Sequence, residues 1–185
     1  LLGRGLRVRV AATPSALRFV SALALEALTH EAVVRSRWPV QVGAPVPHLE
    51  LARWADVVVV YPATATTLSR IARGDCSSVV SALAISARAP VLLAPAMNEA
   101  MLDAPSVRRN LAQLRDDGFI VMHPSLGYEV AAAPTDRRLR YGAAPTVQNV
   151  VRVVEATLRD EAFGAPTHGP ASSDGSPGQL PSIRR

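Results

Sequence analysis

The sequence predicts a three-layer α/β sandwich around a mainly parallel sheet. Two observations carry this. The apolar runs at 57–60 (VVVV) and 90–94 (PVLLA) show no in/out alternation, as strands covered on both faces require. Helical patterns alternate with such runs along the chain, as strand–helix–strand crossovers require. A Rossmann-like sheet of this kind binds ligands beyond the carboxyl ends of its strands, so the residues just after each strand are the candidates.

The elements follow in order. LRVRVAA (6–12) reads as a strand and TPSALRFVSALALEAL (13–28) as one helix. Thr13 suits its N-cap, and Pro14 costs nothing in a first turn that has no use for its N–H. EAVVRS (31–36) reads as a short strand, and RWPVQVGAPVP (37–47), with three prolines, as a loop. HLELARWA (48–55) is a short helix and DVVVVYPA (56–63) a strong strand. Two helices follow, broken at Gly74, then the strand PVLLAPA (90–96). SVRRNLAQLRDDG (106–118) is a helix closed by Gly118, FIVMHP (119–124) a strand, and TVQNVVRVVEATLRD (146–160) a last helix. Its Val147, Val150, Val151, Val154 and Leu158 share one face.

The 185 residues suit one domain, placed at residues 1–162. The remainder, 163–185, is too rich in Gly, Pro and Ser to bury a core and reads as a disordered tail. No apolar stretch reaches membrane-spanning length. A single cysteine, Cys76, excludes an internal disulfide and a zinc cluster, and a reducing, cytoplasmic setting is the expectation. All 20 basic residues are arginine and the formal charge is +5, but they are scattered, so nucleic acid is not an expected partner. No HEXXH, nucleophile elbow or complete nucleotide motif is present, which leaves metal ligation and triad hydrolysis without support.

Three places carry chemistry. In YPATATT a strand ends in small residues and hydroxyls at a helix start. Exposed N–H groups and Thr hydroxyls there form a neutral donor cradle for a phosphate or a flavin edge, or an ordinary cap built on Thr64. In PAMNEAM, Asn98 offers a donor and an acceptor to a carboxylate or a ring edge; it equally suits the cap of the next helix, with Met97 and Met101 as core filler. His48, after the proline-rich loop, can hold an anion or move a proton near neutral pH, or serve as a surface or capping histidine. His30 and His168 carry no functional reading, His123 lies at a strand end, and Cys76 reads as an idle thiol.

Together these segments resemble the homo-oligomeric flavin-containing cysteine decarboxylases. The likeness runs from about Arg7 to Pro134 and rests on HLELARWAD, PATATT and PAMNEAM in that order. It implies FMN, with FAD as an alternative, held between subunits of an assembly built on trimers. It assigns His48 and Asn98 to catalysis, Asn98 meeting the substrate carboxylate beside the flavin. It assigns Thr13, Phe19, Pro62, Ala63, Thr64, Thr66, Thr67, Ser81 and Met97 to the cofactor, and Gly127, Tyr128 and Glu129 to a substrate clamp. Thr66 stands where the family prefers Asn, and Leu102 where many members have Trp. LRVRVAA resembles the family's second strand, which implies roughly 20–30 further residues upstream, one strand–helix unit carrying a phosphate-binding turn.

The resemblance also implies the chemistry. Oxidation of the carbon bearing sulfur creates an electron sink β to the carboxylate, and carbon dioxide then leaves to give an enethiolate. In the coenzyme A pathway a clamp cysteine helps return that product to a saturated thiol; in peptide-modifying members no such cysteine acts. The segment HPSLGYEVAAAPTDRR has no cysteine and reads as a mobile lid over a peptide end. Arginines 137, 138 and 140 read as a solvated basic face that could also steer a carboxylate. The expected activity is therefore oxidative decarboxylation of a precursor peptide's C-terminal cysteine. The alternatives are phosphopantothenoylcysteine decarboxylation and a non-catalytic flavin-fold binding or regulatory protein.

Overall fold

Every residue of Val91–Pro95 is buried. A strand with that pattern has no solvent face, and it is the middle strand of the sheet. The computed structural model describes residues 1–39, 41, 43–128 and 138–163, without the side chains of 161–163. The chain forms α1 (Ala22–Thr29), α2 (Pro47–Trp54), β1 (Val58–Ala63), α3 (Ala65–Ala72), α4 (Val79–Ser86) and β2 (Val91–Pro95). Then come α5 (Glu99–Asp103), α6 (Pro105–Asp116), β3 (Ile120–Val121), β4 (Ser125–Tyr128), β5 (Leu139–Ala143) and α7 (Val147–Phe163). The sheet order is β1-β2-β3, all parallel, and β4 and β5 form a separate antiparallel pair.

The period of two along β2 divides the core. Val91 and Leu93 face Leu68 and Ile71 of α3, Ala84 of α4 and Leu114 of α6. Leu92 and Ala94 face Val150 and Val154 of α7 on the other side. Helices therefore cover both faces, as the unbroken apolar runs predict. Leu93 has no solvent exposure. Leu93→Ala is expected to lower unfolding free energy by about 2–5 kcal/mol, read from urea denaturation, through lost transfer energy plus the cavity left behind.

The glycine breaks read from the sequence hold, and two prolines and a serine pair add helix starts. Pro47 and Pro105 each open a helix. Gly74 and Gly118 adopt left-handed conformations, φ 69° and 88°, where α3 and α6 end. Ser78 and Ser81 form a capping box at the start of α4. In the turn between α3 and α4, Ser77 hydrogen bonds hold the Asp75 carboxyl below its ordinary range. That support is present above the usual carboxyl titration and fades as pH falls through the lowered value.

The first third departs from expectation. Residues 6–12 and 31–36 form no regular strand; they meet in one parallel bridge, Ala11 to Val34, with Ala12 N donating to Val34 O at 2.9 Å. Arg9 and Arg7 stack on the Trp54 ring at 5.6 Å, and Arg9 pairs with Glu50 at 2.9 Å, which holds this segment over α2. The single helix expected over 13–28 is broken into a 3₁₀ turn, Ala16–Arg18, and α1, with Ser21 extended before α1. The reason is packing. Helices of this length draw their stability from an apolar face laid on a partner, and α1 buries none of its residues. The last helix runs to Phe163, three residues beyond its expected end, and the rest of the expected tail lies outside the described residues. No described helix is long and apolar enough to cross a membrane.

Candidate active site at the carboxyl edge of the sheet

β1 and β2 pair from Val58 opposite Val91 to Val60 opposite Leu93 and, after a one-residue slip, at Ala63 opposite Pro95. Their ends are tied by Ala96 N donating to Ala63 O at 3.0 Å. This pairing sets PATATT beside PAMNEAM, two segments some thirty residues apart in sequence. Ala63 is fully buried and anchors the first. Thr64 then caps α3: its Oγ1 accepts from Thr67 N at 3.3 Å and lies 3.2 Å from Thr67 Oγ1. Pro62, joined to Tyr61 by a cis bond, Thr64 and Thr66 are exposed on this edge. The Thr64 cap thus leaves Thr64 and Thr66 exposed at the carboxyl edge.

Asn98 takes the capping role open to it. Its Oδ1 accepts from Met101 N at 2.8 Å and caps α5. Because a backbone N–H can only donate, that bond fixes which side-chain atom is oxygen. Among the described residues, nothing accepts from the Asn98 amide nitrogen, which leaves its two donors available to a ligand. Met97 and Leu102 pack on the core beneath α3, α4 and α6, so Leu102 fills apolar space at the position where relatives were expected to carry Trp. Met101 stays 44% exposed.

The segment expected to be a lid contains a strand. β4 pairs with β5, placing Gly127 opposite Arg140 and Tyr128 opposite Leu139. The hairpin is fastened to the Asn98 loop by Met97 N donating to Gly142 O at 2.9 Å. Gly142, at φ 126°, allows this approach, since a Cβ there would strike the Met97 carbonyl oxygen. Arg140 is not on a solvated basic face. Its Nη1 lies 3.7 Å from Glu99 Oε2, and it lines a cleft of about 320 Å³ with Asn98, Glu99, Ala100 and Asp103. Arg138 is exposed; Glu129 and Arg137 lie outside the described residues.

The remaining candidates lie elsewhere on the chain. His48, half-buried near the start of α2, sets Nδ1 3.2 Å from Arg37 O. A carbonyl only accepts, so Nδ1 carries the proton and Nε2 keeps the basic lone pair of the neutral ring. Ser81 is fully buried, with its hydroxyl 2.9 Å from Ser78 Oγ in the capping box. Thr13 Oγ1 accepts from Ala16 N at 3.2 Å. Phe19 is 93% exposed. Among the described residues no hydrogen bond or ion pair joins His48, Ser81, Thr13 or Phe19 to the Asn98 cleft. Pairing of β1 with β2 brings Pro62, Ala63, Thr64, Thr66 and Thr67 beside Met97 and Asn98, and the β4–β5 hairpin that carries Gly127 and Tyr128 is tied to the same loop through Gly142.

The family model described as "Flavoprotein" matches residues 1–159. The chain belongs to the flavoprotein family. Among solved structures, this flavoprotein is similar to the FMN-dependent cysteine decarboxylase SpaF, with TM-score 0.67 and 31% identity over 83% of this chain and 79% of that one. It is similar to TvaF, from thioviridamide biosynthesis, with TM-score 0.64 and 36% identity over 83% and 81%. A mutant PPC decarboxylase complexed with pantothenoylaminoethenethiol superposes with TM-score 0.74 at 28% identity. Among curated proteins, the coenzyme A biosynthesis bifunctional protein CoaBC of Bacillus subtilis (strain 168) is 35% identical over 91% of this chain. CoaBC of Mycobacterium bovis is 46% identical over 65% of it. The chain spans only 40% and 28% of the length of these two relatives.

The residues at the carboxyl edge fit FMN. The exposed donors there, the hydroxyls of Thr64 and Thr66, are uncharged and suit a ring whose polar edge is neutral amide and carbonyl. Gly142, Glu99 and Asp103 were not singled out as site residues in the sequence, whereas Arg140 was named there as able to steer a carboxylate. Gly142 had one signal, a glycine inside a strand-like LRYGA, which marks a close backbone approach.

Proposed function

We propose that this flavoprotein catalyses the FMN-dependent oxidative decarboxylation of a C-terminal peptidyl cysteine, releasing an enethiol. The observation that carries this reading is the position of Cys76. It is the only cysteine in the sequence. Thr64 begins α3 at the carboxyl edge, and Cys76 follows the other end of that helix, about 12 Å along its axis. There it is exposed, with its carbonyl bound by Arg37 Nη1 at 2.7 Å. No thiol is then at hand to return the unsaturated product to a saturated one.

Bound FMN supplies a two-electron acceptor for the carbon bearing sulfur. The chain supplies position and charge. Asn98 donates its amide hydrogens to the substrate carboxylate, Thr64, Thr66 and Thr67 hold the ring edge with Pro62 and Ala63 beneath, and Met97 shapes the slot. Gly127 and Tyr128 form one wall of the substrate clamp, which Glu129 extends. His48 brings a proton-accepting Nε2, and with Thr13 and Phe19 it completes the site of a neighbouring copy, while Ser81, fully buried, supports the cofactor side through the capping box of α4. The exposed Phe19 and the unburied α1 support such an assembly, which we read as built on trimers.

Two observations favour a second reading. The curated relatives are CoaBC proteins, and a PPC decarboxylase superposes well. Phosphopantothenoylcysteine is then the substrate, and the reduction of its product needs a donor other than a clamp thiol. One experiment separates the readings. The full chain, supplied with FMN, is incubated with a peptide ending in cysteine and with phosphopantothenoylcysteine. Loss of about 46 Da from the peptide, carbon dioxide plus two hydrogens, together with flavin bleaching, is expected. Turnover of phosphopantothenoylcysteine alone rejects the first reading. Turnover of neither, with no flavin bound, favours a binding protein.

A further inference from the structure

On the face of the β4–β5 hairpin that carries Arg140 the neighbouring residues are small. Gly127 stands opposite Arg140 across the pair, and beyond a one-residue slip at Gly142 the next pair is Ser125 with Ala143. The missing Cβ of Gly127 leaves room for the Ala143 side chain, and Arg140 is the long side chain among them. The opposite face carries Leu126, Tyr128, Leu139 and Tyr141, all exposed. Gly142 brings the backbone against Met97, and Arg140 reaches the cleft that Asn98 lines.

The charges of that cleft conflict with its assigned ligand. Glu99 and Asp103 sit one turn apart on α5 and both line it. A substrate carboxylate at Asn98 would meet like charge from Glu99 in the very next residue, and like charges at such range oppose binding. Arg140 is the opposite charge within reach, 3.7 Å from Glu99, with both side chains nearly half exposed. A guanidinium has five donors and can hold one carboxylate while admitting a second.

We propose that Arg140 is a specificity-determining residue that offsets Glu99 and accepts the substrate carboxylate beside Asn98. The inference rests on the reading that a carboxylate meets Asn98. The chain supplied with FMN is titrated calorimetrically with a pentapeptide ending in serine, as the free acid and as the amide. The free acid is expected to bind about ten-fold tighter than the amide. Arg140→Gln is expected to abolish that preference, and adding Glu99→Gln is expected to restore part of the lost affinity. Glu99→Gln alone is expected to tighten free-acid binding, because it removes a like charge beside the carboxylate. Arg140→Lys, which keeps the charge and loses the planar fork, is expected to keep only part of the free-acid preference; a pair that only braces the hairpin predicts the full preference there, and this arm decides the matter even where Arg140→Gln fails to fold. No free-acid preference in the wild-type protein, or its retention in Arg140→Gln, overturns the proposal. Turnover of the cysteine peptide is scored separately. Preference without turnover keeps the role of Arg140 and rejects the peptidyl reading, and turnover without preference does the reverse.

Discussion

Asn98→Asp is expected to lower kcat/KM for a cysteine-terminated peptide by about 10³-fold while leaving thermal stability and FMN binding unchanged. The substitution isolates one function of a residue that has two. Aspartate is as good an N-cap as asparagine, so the acceptor that meets Met101 N at 2.8 Å is kept and α5 stays formed. What changes is the other atom. An amide nitrogen with two hydrogens becomes a carboxylate oxygen, which faces the substrate carboxylate with like charge. Loss of a donor and gain of repulsion act in the same direction. His48→Asn is the companion variant, expected to cost about 10²–10⁴-fold through loss of the basic Nε2. Full activity in either variant, measured by flavin bleaching and product mass, removes that residue from the reaction.

Gly142→Ala is expected to have the largest structural effect of any single methyl in the described chain. The added Cβ meets the Met97 carbonyl oxygen, which is backbone and cannot rotate away. The conformation itself, φ 126°, is nearly closed to residues with a side chain. Together these are expected to lower unfolding free energy by about 2–4 kcal/mol, read as a lower midpoint in urea with unchanged slope. Because the same contact fastens β5 to the Asn98 loop, peptide affinity is expected to fall as well. An unchanged midpoint would show that the hairpin does not rest on this loop.

The lesson of the first third is different. LRVRVAA and EAVVRS have the composition of strands, yet they share one bridge, and the run from 13 to 28 has helical period yet breaks at Ser21. Apolar pattern states that a segment wants a partner. It does not say whether this chain supplies one, and α1 finds none here. The β4–β5 pair fails to show for the opposite reason. SLGY and LRYGA are short, and each is polar or glycine-broken where a strand would alternate apolar residues. They become strands because they lie opposite one another, and that pairing is long-range.

The sequence alone determined the parallel sheet, its helices and their order, because burial on two faces erases alternation and Gly and Pro mark the joints. It also pointed to PATATT and PAMNEAM, since each stands where a strand ends. Only the tertiary structure decided that Thr64 and Asn98 cap helices and stay exposed at the carboxyl edge, that Arg140 pairs with Glu99, and that Gly142 lets the hairpin meet the Asn98 loop. Those outcomes depend on distances between segments far apart in the chain, and local propensity holds no record of them.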